Sequence, residues 1–111
     1  MNKTNEQSSK RTNPYNFGQL IGTIKLVKQP YTRKSKNGME YTITEMTLEV
    51  SAHNGPQNIV VKLFDCDFTD KLICGKLVQC MYHVNSFPYE TKKGIVPFIN
   101  IIVDNVNFLN E

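Results

Sequence analysis

Polar and apolar positions alternate along much of the chain with the two-residue period of β-strands, and short runs rich in Gly, Pro, Asn or Lys separate the alternating stretches. Residues 17–27 are apolar in pattern but interrupted by Gly22, which within a strand marks a bulge or the close approach of another backbone. Asn37-Gly38 is a hairpin signal leading into residues 39–51. There the phase changes: Met39, Tyr41 and Ile43 share one face while Met46, Leu48 and Val50 share the other, so a bulge is expected near Thr44 and Glu45. The turn His53-Asn54-Gly55-Pro56 then feeds a third strand over residues 59–65.

Between Cys66 and Cys74 the pattern changes period. Phe68, Leu72 and Ile73 have helical spacing over about two turns, with Asp67 or Thr69 expected to cap the helix and Gly75 to end it. Residues 77–85 alternate again, with Val78, Cys80, Tyr82 and Val84 on one face. A loop is expected over residues 86–95, which hold Pro88, Lys92, Lys93 and Gly94, before a last strand over residues 98–109. Three strands, a short helix and two strands is the order of an all-β, five-stranded OB-fold Greek-key barrel with its helix between strands 3 and 4. SH3-like and other small barrels share similar periodicity.

The 111 residues hold one core and are short for two. Residues 1–14 are polar and basic with no apolar period, so they read as a flexible arm, and residues 15–111 as the folded domain. With no apolar run of about eighteen residues and no apolar leader, neither a membrane span nor secretion is expected, and the expected location is the cytoplasm. Cys66, Cys74 and Cys80 are odd in number and lack Cys-x-x-Cys spacing, so they read as reduced residues. Cys80 and His83 are three apart on a strand and point to opposite faces, so no metal is expected.

The net charge of +3 conceals a segregation. Residues 1–37 carry eight Lys or Arg against Glu6, a balance of +7, and residues 38–111 five against nine acids, a balance of −4. Such a distribution makes one face basic, and phosphate is the usual partner of a basic face. Aromatics interleave with the cations: Tyr31 with Arg33, Lys34 and Lys36; Lys62 with Phe64; Phe87 and Tyr89 with Lys92 and Lys93. Cations for a backbone and flat rings for bases suit single-stranded nucleic acid.

Phe64 shares a face with Val60 and Lys62, so it reads either as a stacking platform or as a core residue, and Lys62 beside it favours exposure. Tyr89 reads as a stacking ring or as rim packing, whereas Tyr41 and Tyr82 read as core or subunit-interface residues. Lys25 and Lys28 extend the proposed phosphate line, and the two basic loops of an OB-fold are expected to flank one groove. Catalysis finds little support: His53 lies in a turn and His83 on a strand with no evident carboxylate partner. Asp65, Asp67 and Asp70 lack the Gly and distal Glu of a calcium loop, and no cofactor is expected.

From about residue 16 to residue 109 the chain resembles the bacterial single-stranded DNA-binding protein family. The resemblance rests on Leu20-Ile21-Gly22, Asn37-Gly38, Thr47-Leu48-Glu49-Val50, Leu63-Phe64, Gly75-x-x-Val78 and Gly94, in that order and spacing. It implies a non-catalytic, OB-fold protein of DNA replication, repair or recombination, with Phe64 and Tyr89 at base-stacking positions and a dimeric or tetrameric assembly. Two positions that are tryptophan in well-known members fall on Asn58 and near Gly55, and this chain has no Trp. The family's acidic-tipped tail has no counterpart before Glu111, which keeps the related primosomal PriB-type proteins in view and, with them, an adaptor whose ligand is a helicase or primase. Eleven Lys against two Arg, with abundant Asn, suits an AT-rich genome such as that of a phage or mobile element.

Overall fold

The structure is a computed structural model and describes residues 16–109; the side chain of Phe87 and the proposed arm, residues 1–14, lie outside the described residues. Six strands form one sheet: β1 (Gly18–Val27), β2 (Tyr31–Lys34), β3 (Glu40–Ala52), β4 (Gly55–Phe64), β5 (Leu77–Thr91) and β6 (Gly94–Phe108). Their order is β1-β5-β6-β4-β3-β2, and a further pairing of β1 with β3 closes the barrel. Val27 pairs with Met46 and Tyr31 with Ile43, so β2 continues β1 along the same edge of β3. Five strand positions therefore circle the axis, as expected of an OB-fold.

The alternating residues fill this barrel from one side of each strand. Met46, Leu48 and Val50 of β3, Val61 and Leu63 of β4, Val78 and Cys80 of β5 and Ile24 of β1 form one buried cluster, with Leu72 covering an end. Tyr82 follows Cys80 on the inward face and lies over Gly18, where a Cβ would sit 2.7 Å from the tyrosine hydroxyl. Burial raises the Cys80 thiol to about 11, so at pH 8 it is protonated and enclosed. Cys74 is exposed. Alkylation at pH 8 followed by peptide mass spectrometry is therefore expected to label Cys74 quickly and Cys80 only in denaturant; early labelling of Cys80 would contradict this packing.

Three local expectations need correction. β3 runs beside β4 in unbroken register from Ile43↔Phe64 to Ala52↔Gly55, with no bulge at Thr44 and Glu45. The phase changes because Ile43 and Thr44, on opposite faces, are both buried; Ile43 is covered between its cross-strand neighbours Tyr31 and Phe64. The curvature comes instead from β1, where Lys25 is the extra residue between the pairs Ile24↔Leu48 and Leu26↔Thr47. The expected helix is one 3-10 turn, Thr69–Lys71, flanked by Phe68 with no side-chain cap from Asp67 or Thr69. Its apolar residues are held by tertiary contacts rather than by a helix face: Phe68 meets Phe108 edge-on at 6.5 Å, and Leu72 is buried.

The third correction changes the outline of the molecule. Residues 86–95 are not a loop, because β5 and β6 pair continuously from His83↔Ile102 to Thr91↔Gly94 as a two-stranded ribbon. Pro88 faces Pro97 in this ladder, a pairing that requires a position where neither N–H is needed across the pair. At the tip, the Thr91 hydroxyl donates to the Gly94 carbonyl at 2.7 Å and accepts from Lys93 N–H at 3.2 Å.

Candidate nucleic-acid interface

Register determines which of the predicted residues share a surface, because cross-strand partners point to the same side of a sheet. On the outer side of β2, β3 and β4 these partners fall into rows. Tyr31, Ile43 and Phe64 make one row. Glu45 and Lys62 make the next, continued by Ile102 and His83. Glu49 and Asn58 make a third. Arg33 stands beside Tyr41. The structure thus brings Lys25, Lys28, Tyr31, Arg33, Lys62 and Phe64 to one face, the first two through ion pairs with Glu49 and Glu45.

Phe64 is 43% exposed and stands outside the core. It stacks on Tyr41 with centroids 5.5 Å apart and planes 10° from parallel. Tyr41 is therefore an outer-face ring rather than a core residue, a position legible in its alternation with Ile43, which runs out of phase with Met46 and Leu48. The Arg33 guanidinium lies 5.0 Å over the Tyr31 ring, and the Tyr31 hydroxyl donates to Glu45 Oε2 at 2.9 Å. Burial, and then the acceptor carboxylate of Glu45, hold the Tyr31 hydroxyl above the usual tyrosine value. Lys25 lies 3.1 Å from Glu49 and Lys28 3.7 Å from Glu45. Pairs this exposed hold their lysines by no more than about 1 kcal/mol, so an incoming phosphate can compete for them.

The face continues onto the ribbon. β4 and β6 meet at Lys62↔Ile102 and diverge beyond it, leaving a groove of about 310 Å³ between Glu45, Val60 and Lys62 on one side and residues 98–101 on the other. On the same side of the ribbon as Ile102 stand Asn100, Phe98, Val96 and Tyr89. Tyr89 and Phe98, 61% and 55% exposed, pack with centroids 6.2 Å apart. Phe98 was not singled out from the sequence, although its alternation with Val96 and Asn100 carries the signal.

Not every predicted residue joins this face. Lys34 pairs with Glu40 and alternates to the side opposite Arg33. Lys36 lies in the turn closed by Ser35 N–H to Met39 O and by Gly38 at φ 85°. Lys92 and Lys93 sit at the ribbon tip. The two basic clusters lie toward opposite ends of this face: β3 leads toward the Lys36 turn while the ribbon leads the other way from Ile102 to Gly94, about 26 Å of extended chain. Lys62 lies between these ends.

On the other side of the Lys62 row the surface changes sign. A cavity of about 670 Å³ opens there, lined by Asp65, Asp67, Asp70 and Asp104 with Phe64, Phe68, Phe108 and Lys71 among its other walls. Asp65 has φ 49° and accepts from Thr42 N–H at 2.9 Å, which fixes the end of β4. Asp104 reaches His83 Nδ1 at 2.9 Å, so His83 has the carboxylate partner that the sequence did not reveal. Asp104 is the extra residue in the bulge opposite Met81 and Tyr82, which puts it outside simple alternation. Among the described residues no group of three or more His, Cys, Asp or Glu is placed to hold a metal ion.

The barrel, its strand order and this curved outer face define the OB-fold class, and comparison with solved structures agrees. Rim1, the mitochondrial single-stranded DNA-binding protein of S. cerevisiae, superposes with a TM-score of 0.64 at 13% identity, over 87% of this chain and 97% of that one. Another crystal form of Rim1 gives 0.62 at 14% identity, over 86% and 97%. The second OB-fold domain of replication protein A from Methanococcus maripaludis gives 0.57 at 16% identity, over 88% of each chain. No protein-family model and no curated protein sequence matches the chain.

Proposed function

We propose that this chain is a non-catalytic single-stranded DNA-binding protein acting in DNA replication, repair or recombination, with little dependence on base sequence. The observation that carries the proposal is the continuous outer face: a stacked Tyr41–Phe64 pair, the cations Arg33, Lys28 and Lys62 beside it, and a second aromatic pair, Tyr89 and Phe98, beyond the groove. Rings accept any base on their flat faces, and the cations track the backbone. The superposed Rim1 is described as a single-stranded DNA-binding protein, which supports the same reading. The acidic cavity sets one border of the path, since phosphate is repelled by its four aspartates.

Within this reading the chain works in the cytoplasm as a homo-oligomer of the bacterial type, with PriB-type proteins as relatives and a helicase or primase as an occasional partner. Short motifs in family order support the bacterial assignment. A protein adaptor remains the second reading, favoured by the exposed aliphatic residues Ile95 and Ile99 on the ribbon.

Titration of fluorescent oligo-dT, duplex DNA and RNA at two salt concentrations tests the proposal. Oligo-dT is expected to bind better than duplex of equal length, with affinity falling steeply as salt rises because cation–phosphate contacts release counterions. Replacing Lys28, Arg33 and Lys62 together with Ala is expected to lower the slope of log affinity against log salt by about 2. Equal affinity for duplex, or a slope unchanged by the triple replacement, counts against this face.

A further inference from the structure

The groove between β4 and the ribbon places an acid inside the proposed path of a polyanion. Glu45 lines this groove together with Val60, Lys62, Phe98, Ile99 and Asn100. Its side chain is only 22% exposed, and it is oriented by two residues that are not among the groove's walls. The Tyr31 hydroxyl donates to Glu45 Oε2 at 2.9 Å. Lys28 Nζ stands 3.7 Å from Oε1, too far for a good hydrogen bond. A carboxylate has about four acceptor sites, so most of them remain open to a ligand. For a phosphate, Glu45 cancels the attraction of Lys62, so the groove suits a different part of the strand.

That part is a base. Val60, Phe98 and Ile99 are each more than half exposed, and the groove's polar side chains are those of Glu45, Lys62 and Asn100. Apolar walls with a few placed polar groups are the make-up of a small-molecule site, and about 310 Å³ is at the lower end of the size of such sites. Glu45 and Lys62 are cross-strand partners, with Cβ atoms about 5 Å apart, which sets a pair of acceptor oxygens beside a donor. Bases differ in how they meet that pattern. Guanine carries its complement on the Watson–Crick edge: N1–H and the N2 amino group donate side by side to a carboxylate, and the adjacent O6 accepts from an ammonium. Adenine and cytosine offer the carboxylate one exocyclic amino group each. Thymine offers a single N3–H between two carbonyl oxygens that the carboxylate repels. Asn100 both donates and accepts, so it does not discriminate.

We infer that this groove is a base pocket that selects guanine through Glu45 and Lys62. The inference rests on the DNA-binding reading above and deepens it: the ring pairs Tyr41–Phe64 and Tyr89–Phe98 take any base, while a strand settles in the register that puts a guanine in the groove. Because the walls are exposed, the preference is modest, roughly fivefold, the low end of what a bidentate base contact discriminates. Glu45 also braces Tyr31 and Lys28. A brace alone gives no base preference, so the two roles are separable by experiment.

Competition binding with short oligo-dT carrying one central dG, dI, dA or dC in place of dT tests the inference on the full chain. The dG oligonucleotide is expected to bind roughly fivefold tighter than oligo-dT. The dI oligonucleotide keeps O6 and N1–H but lacks the N2 amino group, and its affinity is expected to fall back toward that of oligo-dT. Glu45→Gln keeps an acceptor oxygen for Tyr31 and removes the charge. It is expected to abolish the dG advantage while raising affinity for oligo-dT, because an anion leaves the path; loss of a brace alone would lower both affinities. Equal binding of the dG and dT oligonucleotides overturns the inference and leaves the DNA-binding reading standing. So does a dG advantage that dI retains in full or that survives Glu45→Gln. The comparison of dG with dI needs no variant, so it decides the matter even where Glu45→Gln fails to fold. A chain that binds none of these oligonucleotides overturns both readings.

Discussion

Phe64→Ala is expected to weaken binding to oligo-dT by roughly 5- to 150-fold, the effect of removing one base-stacking ring, while leaving the salt slope nearly unchanged. The ring is half-exposed on the outer face and takes no part in the buried cluster, so Tm is expected to fall by only a few degrees. Stacking on Tyr41 at 5.5 Å holds Phe64 in one orientation before DNA arrives, so less conformational freedom is lost on binding. Tyr41→Ala therefore weakens binding as well, by less than Phe64→Ala, and the double replacement costs less than the sum of the two. Fluorescence titration at two salt concentrations, with a thermal melt of each variant, supplies every quantity. A Phe64→Ala chain that unfolds would make the ring part of the core, and one that binds as tightly as the parent would remove it from the interface.

The largest effect on stability is expected at the point where the barrel closes. Gly22 pairs with Val78 of β5, and the next residue, Thr23, pairs with both Leu77 of β5 and Glu49 of β3. Here β1 passes between its two partners, and a Cβ on Gly22 would lie 2.8 Å from the Glu49 carbonyl oxygen and 2.9 Å from Val50 Cγ1. A backbone oxygen fixed in a ladder cannot move aside cheaply, so Gly22→Ala forces β1 away from β3. Overpacking of this kind costs about 1–3 kcal/mol, which for a domain of this size lowers Tm by roughly 5–20 °C. Gly18→Ala is the informative comparison. Its Cβ would meet the outer end of the Tyr82 side chain at 2.7 Å, and that ring can swing, so the loss is smaller. Calorimetry of both variants decides the matter: equal, negligible losses would mean that β1 and β3 are not closed at Gly22.

The contrast between these glycines shows which parts of the fold were legible in the sequence. Gly22 in an otherwise apolar run announced a close approach, and the alternation in residues 77–85 announced β5, because both signals arise from the local chain. The strand order was legible for the same reason. The ribbon was hidden because Pro88, Gly94 and two lysines have the composition of a loop, whereas Pro88 fits a ladder wherever the register turns its nitrogen away from the partner strand. Composition does not report a cross-strand partner.

The candidate interface was legible in part on the same grounds. Phe64 and Lys62 declared themselves by sharing a face within one strand, and Tyr31 and Arg33 did so in another. Of the two readings of Tyr41, the core one fails: its alternation with Ile43 places it outside, but the burial of both Ile43 and Thr44 masks that signal in the apolar pattern. The His83–Asp104 pair was invisible because a bulge in a different strand brings the carboxylate into reach.

The pairing of β1 with β5 also constrains how the chain is made. Gly18 meets Tyr82 and Leu20 meets Cys80, so the first strand of the barrel waits for partners about sixty residues further along. At a synthesis rate of about 5–20 residues per second, that wait lasts roughly 3–12 s. β1 has β3 available on one edge well before then, but its other edge stays unpaired in the nascent chain, with Leu20 and Ile21 beside it. An open edge is a template for other strands, and Gly18 and Gly22, poor strand formers with no side chain to pack, blunt it at both ends. The glycine that allows the finished barrel to close also makes its earliest strand a poor partner for anything else while the chain is still emerging.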